Sequence, residues 1–203
     1  PGDFTDGVAR TPARVFTVDP MVGGSDKIET NDGNDIVFGG IDGDVIYAGQ
    51  GHNIVIGDMG FIDWFIDDSD LGDIDRIETT EPGLGGNDQI TTGDGDDIIF
   101  GGQDGFSLYV ELPEGADPTG AILTQVAALG ENGEAGDVIF AGHGRNLVFG
   151  DNGAILAAVS DEARFGNQPI TLGLVMTTHP EFGGDDEMTA GLGKDIIFGG
   201  AGD

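Results

Sequence analysis

Aspartate or asparagine recurs at every ninth residue in the series Asp26, Asp35, Asp44 and Asn53. The beat returns at Asp88 and Asp97, at Asp137 and Asn146, and at Asp186 and Asp195. Side-chain oxygens repeated in this way are ligands for a hard divalent cation, above all calcium, which gathers about six to eight oxygens. Glycines fill the turn before each of these residues. Such turns bend tightly without steric penalty and bring backbone carbonyls to the same place. Asp32, Asp42, Asp94, Asp58 and Asp151, in or beside the turns, join the candidate metal ligands. Aspartate also caps turns without any ion. A formal net charge of −31, however, calls for a counterion if the chain is to fold.

Each in-frame residue stands before an apolar triplet or its equivalent: KIE, IVF, VIY and IVI in the first block. A period of nine does not fit a helix. It describes a chain that turns a corner, runs a short strand and turns again. A three-residue strand and a six-residue turn make about half a turn of a flattened solenoid. Asp26 then lies under Asp44, and Asp35 under Asn53. Carboxylates stacked about 5 Å apart repel strongly unless an ion lies between them.

Alternation along a strand sends the middle residue of each triplet inward: Ile28, Val37, Ile46 and Val55. The outward pair is polar in the first nonapeptide of each block, as in Lys27 with Glu29, Gln89 with Thr91, and Glu187 with Thr189. It is apolar in the second and fourth, as in Ile36 with Phe38, Ile54 with Ile56, Ile98 with Phe100, and Leu147 with Phe149. One sheet therefore carries an apolar outer face, and a patch of that size is rarely left bare. The neighbouring segments, with Phe61, Trp64 and Phe65, are expected to fold over it as a third layer.

The expected fold class is all-β: parallel solenoid blocks with β-hairpin spacers. The divisions are 1–20, the end of a preceding spacer; 21–60, block 1; 61–82, a spacer hairpin; 83–153, block 2; 154–180, a second spacer hairpin; and 181–203, the start of block 3. Block 2 carries an insertion hairpin at 106–136, where Phe106 falls in the aspartate slot and the beat resumes at Asp137. Within the insertion, 124–129 is the best helix candidate in the chain. Ile62 and Ile155 hold the fifth slot of their blocks, so the ion ladder is expected to end with each block.

The nonapeptides GGIDGDVIY at 39–47, TGDGDDIIF at 92–100 and AGLGKDIIF at 190–198 resemble the hemolysin-type calcium-binding repeats of RTX proteins, with consensus GGxGxDxUx. The resemblance implies a parallel β-roll with calcium held between successive turns. Asn53 and Asn146 depart from it, keeping an oxygen but losing a charge, for which Asp58 and Asp151 are candidate replacements. Asp42 and Asp104 replace the glycine at position four and add potential ligands.

The chain has 203 residues, 39 of them glycine and none cysteine, with 38 acidic residues against seven basic. This balance repels nucleic acid and anionic lipid surfaces. Disorder is the ordinary consequence of so much acid, yet apolar content is 38% and lies in short β-prone runs. No stretch is long enough to span a membrane, and no signal peptide opens the chain. The sequence starts and stops in mid-pattern and reads as a piece of a longer array. HExxH and GxSxG are absent, and His52, His143 and His179 lack metal-ligand spacing. No catalytic role is expected. The resemblance implies an extracellular, secreted bacterial protein: a calcium-stiffened segment of a repetitive adhesin-like surface protein, with neighbouring repeats or copies as partners. A self-assembling fibre or matrix subunit is the alternative. A secreted hydrolase whose catalytic domain lies elsewhere is the lesser one.

Overall fold

The computed structural model describes residues 12–64, 72–104, 136–159 and 163–202. Phe65, the insertion strands expected at 107–112 and 121–126, and the helix candidate 124–129 lie outside these residues. The described residues form fifteen strands, numbered in chain order, and no helix.

Two parallel five-stranded sheets make a roll. The first consists of β2 (Lys27–Glu29), β4 (Val45–Gly49), β8 (Gln89–Thr92), β10 (Val138–Ala141) and β14 (Glu187–Ala190), stacked in that order. The second consists of β3 (Ile36–Phe38), β5 (Ile54–Ile56), β9 (Ile98–Phe100), β11 (Leu147–Phe149) and β15 (Ile196–Phe198). Most are short runs of β-branched or aromatic residues, which suit a pleated surface buried on one or both faces. Val37, Ile46, Val55, Ile90, Ile99, Ile139 and Val148 fill the space between the two sheets, the inward positions that alternation selects.

The strand ladder runs on from block to block. β5 pairs with β9 in the register Ile54↔Ile98, and β4 pairs with β8 in the register Val45↔Gln89. β11 pairs with β9 and β15 in the same manner. The spacers leave the roll and the chain re-enters at the next rung. Strand pairing depends on which backbones meet, not on how many residues separate them.

The spacers build a third sheet, in the order β1 (Arg14–Phe16), β6 (Gly60–Asp63), β7 (Arg76–Thr79), β12 (Gly153–Ala157) and β13 (Leu172–Thr177), with antiparallel pairing throughout. It covers the apolar outer face of the second sheet. Ile54, Ile56, Ile98, Phe100, Leu147 and Phe149 pack in one cluster with Ile62, Trp64, Ile74, Ile77, Ile155, Phe165 and Ile170. Phe100 and Phe149 stack at 4.5 Å, and Phe149 and Phe198 at 4.8 Å. Trp64 serves as expected, but Phe61 does not. It lies on the outer side of β6, with the guanidinium groups of Arg14 and Arg76 over its ring at 4.9 and 5.1 Å. The strand's alternation gives the inward place to Ile62.

Candidate metal centre

The turns between the two roll sheets form two edges of different character. One is uninterrupted: it holds Asp35, Asn53, Asp97, Asn146 and Asp195, with the chain passing directly from the first sheet to the second. The other holds Asp26, Asp44, Asp88, Asp137 and Asp186. The spacers and the insertion all depart from this second edge.

On the interrupted edge each aspartate is tied to the one before it. The Asp26 amide donates to Asp44 Oδ1 at 2.7 Å, Asp44 to Asp88 at 2.7 Å, Asp88 to Asp137 at 2.7 Å, and Asp137 to Asp186 at 2.8 Å. One oxygen of each carboxylate is thereby committed. The other, Oδ2 of Asp44, Asp88, Asp137 and Asp186, is buried with no hydrogen-bond partner. A buried polar atom without a partner costs about 1–3 kcal/mol, and more when it is charged.

The glycines show what these oxygens face. A Cβ on Gly39 would lie 2.1 Å from the Gly57 carbonyl oxygen and 2.3 Å from Asp44 Oδ2. At Gly57 the corresponding neighbours are Gly101 O at 2.3 Å and Asp88 Oδ2 at 2.0 Å. Gly101 would meet Gly150 O and Asp137 Oδ2, both at 2.0 Å, and Gly150 would meet Asp186 Oδ2 at 1.9 Å and Gly199 O at 2.6 Å. A carboxylate oxygen and a carbonyl oxygen thus converge at each of four successive rungs. Two acceptors that face one another without a donor need a cation, and an all-oxygen set suits calcium. Burial pushes the Asp44 carboxyl up to about 6 and that of Asp186 to about 7. Burial likewise raises Asp88 and Asp137, the latter further because Asp104, Asp88 and Asp58 surround it. A bound divalent ion reverses this preference and holds the carboxylates ionised.

These cradles have no room for a side chain. Gly57→Ala is expected to destabilise the fold by about 1–3 kcal/mol through overpacking and to raise the calcium needed for folding. Gly199→Ala, where nothing lies within 4 Å of the added carbon, should do neither. Thermal unfolding at fixed calcium compares the two.

The uninterrupted edge has the same amide-to-side-chain ladder but different chemistry at alternate rungs. Asp35, Asn53, Asp97 and Asn146 donate in turn to the next Oδ1 at 3.1, 2.8, 3.2 and 3.0 Å. Asn53 Nδ2 then donates to the Gly49 and Gly51 carbonyls, and Asn146 Nδ2 to Gly142 O and Asp195 Oδ1. The oxygen these asparagines were expected to offer is spent on backbone amides, and a nitrogen faces the carbonyls instead. Asp35 Oδ2 and Asp97 Oδ2 are buried without partners on this edge.

Asp58 and Asp151 do not stand beside the asparagines. They lie against the interrupted edge, with both oxygens taken by backbone amides: Gly86 and Gln103 for Asp58, Gly184 and Ala201 for Asp151. Asp26, Asp32 and Asp94 are exposed, and Asp42 is half-buried. His52 and His143 accept backbone amides through Nδ1, as turn residues do. Asp104, a potential ligand by its place at position four, is buried against Asp137 and Asp186.

Four copies of the RTX calcium-binding nonapeptide repeat match the chain, at residues 22–55, 83–105, 133–154 and 182–203. All the in-frame aspartates and asparagines fall within these spans. Comparison with curated proteins and with solved structures gave no match.

Proposed function

Because the chain belongs to the RTX calcium-binding nonapeptide repeat family, we propose that it is a calcium-folded structural segment of a repetitive extracellular surface protein. One observation carries this reading: the unpaired buried carboxylate oxygens of Asp44, Asp88, Asp137 and Asp186, in line on one edge and each set against a glycine carbonyl. These four are the proposed principal ligands, with the carbonyls completing the shell. Asp35 and Asp97 are proposed secondary ligands on the opposite edge. Calcium supplies positive charge between rungs that otherwise repel. The chain's own part is to fix the carboxylates by backbone hydrogen bonds and exclude side chains from the cradles. Millimolar calcium outside the cell would fold and stiffen the segment, and low calcium inside would leave it unfolded for export.

A stalk in an adhesin-like protein fits the roll, whose end strands β2 and β3, and β14 and β15, each keep one open edge among the described residues. Open edges are templates for further strands, so adjacent repeats of the same protein are the proposed neighbours. Assembly from separate copies is the second reading, favoured by the exposed Ile36 beside one open end and Ile196 and Ile197 beside the other. Light scattering over a concentration series in calcium separates the two. The stalk reading expects monomers throughout, and growth of scattering with concentration would favour the fibre.

A further inference from the structure

Asp104 stands at the fourth position of its nonapeptide, where Gly33, Gly51, Gly95, Gly144 and Gly193 stand in others. A turn of this kind does not require a carboxylate. Its relative exposure is nonetheless only 7%, and neither of its side-chain oxygens has a hydrogen-bond partner. Its carboxylate converges with those of Asp137 and Asp186, with one oxygen of each within 4.8 Å of the others. Asp137 and Asp186 have each committed Oδ1 to a backbone amide, so their free atoms here are the Oδ2 oxygens. The Gly150 and Gly199 carbonyls stand close to those two atoms, as the added carbons at Gly101 and Gly150 show. Among the described residues no basic side chain pairs with any of the three. Asp58 and Asp151 add negative charge nearby without adding free oxygens.

Three carboxylates therefore converge between the adjacent rungs of Asp137 and Asp186, with the Gly150 and Gly199 carbonyls close by, whereas Asp44 and Asp88 each offer one unpaired carboxylate oxygen to their rungs. Two buried carboxylates and a half-buried third, brought this close, do not remain ionised together without a cation. An all-oxygen set that is rich in charge suits calcium, whose affinity rises with the number of charged ligands. Resting on the calcium reading above, we infer that Asp104, Asp137 and Asp186 form a three-carboxylate calcium site, the tightest in the chain, with Asp104 as a ligand outside the nonapeptide register. The site pins the roll where the nonapeptide beat breaks off after Asp104 and resumes at Asp137.

Calcium binding to the whole chain, followed by isothermal titration, tests this with Asp104→Asn, Asp104→Gly and the exposed control Asp19→Asn. Asp104→Gly restores the residue that the repeat ordinarily carries. Both Asp104 variants should weaken the tightest calcium by about tenfold or more, and Asp19→Asn should not. Both should recover the full strand signal in circular dichroism at excess calcium. Unchanged affinity in the Asp104 variants would overturn the inference. So would failure to fold at excess calcium, since that marks a packing role rather than a ligand role. Absence of calcium binding by the unaltered chain would instead overturn the broader reading.

Discussion

Chelation of calcium at pH 8 is expected to abolish most of the strand signal in circular dichroism. The reason lies in the interrupted edge, where buried carboxylates stack rung upon rung with their free oxygens unpaired. Without a cation they are held apart from water and close to one another, and both effects disfavour the charged form. Folding should return as calcium is added back through about 10⁻⁴–10⁻³ M, the range of extracellular calcium modules. The same groups set a pH dependence for the metal-free chain. Their folded pKa values lie above the ordinary carboxylate value, at about 6 for Asp44 and about 7 for Asp186. A raised carboxyl pKa means that the fold holds protons which the unfolded chain has released. Its contribution is fully present below about pH 4, where both states are protonated, and is lost as pH rises through 6 to 7. Metal-free protein should therefore be more ordered at pH 5 than at pH 8. Undiminished strand signal in chelator at pH 8, or the opposite pH trend, would contradict the account.

The second large effect belongs to the covering sheet. Phe149 is fully buried and sits between Phe100 at 4.5 Å and Phe198 at 4.8 Å, in nearly parallel stacks. It belongs to the cluster that joins the roll to the third sheet. Phe149→Ala at saturating calcium should cost about 3–5 kcal/mol, from lost burial and the cavity left behind, with the broken stacks adding to it. That is a large part of a typical domain's stability, about 5–15 kcal/mol. Phe140→Ala is the contrast. Phe140 points outward from the first sheet at 39% exposure, and its loss should cost well under half as much. Denaturant unfolding measures both. Equal losses would mean that the third sheet is an appendage, not a structural layer.

Much of this arrangement was legible because a period of nine fixes geometry so tightly. The beat of Asp26, Asp35 and Asp44 assigned residues to two edges, and the triplets told inward Val37 and Val55 from outward Ile54 and Ile56. The apolar outer pairs, read as a face that needed cover, pointed to the third sheet. Other features depend on contacts that the period does not contain. Asp44 meets Asp88 rather than ending its ladder, because the chain leaves and re-enters at the next rung. Phe61 and Ile62 differ by one place on a strand, which reverses the face they occupy. Asn53 looked like a ligand because asparagine has an oxygen, but its neighbours take that oxygen and leave the nitrogen facing the carbonyls. Position four marks Asp104 as a potential ligand, but its convergence with Asp137 and Asp186 depends on where the chain re-enters the roll.

The most direct measurement is a crystal structure of the chain grown in calcium, with the ions located by anomalous scattering. The account predicts a row of ions on the interrupted edge, beside Oδ2 of Asp44, Asp88, Asp137 and Asp186 and the facing glycine carbonyls. It also predicts none at the carbonyls that already receive the Asn53 and Asn146 amides. A folded roll whose interrupted edge holds no ions, or whose ions gather at the two asparagines, would contradict it.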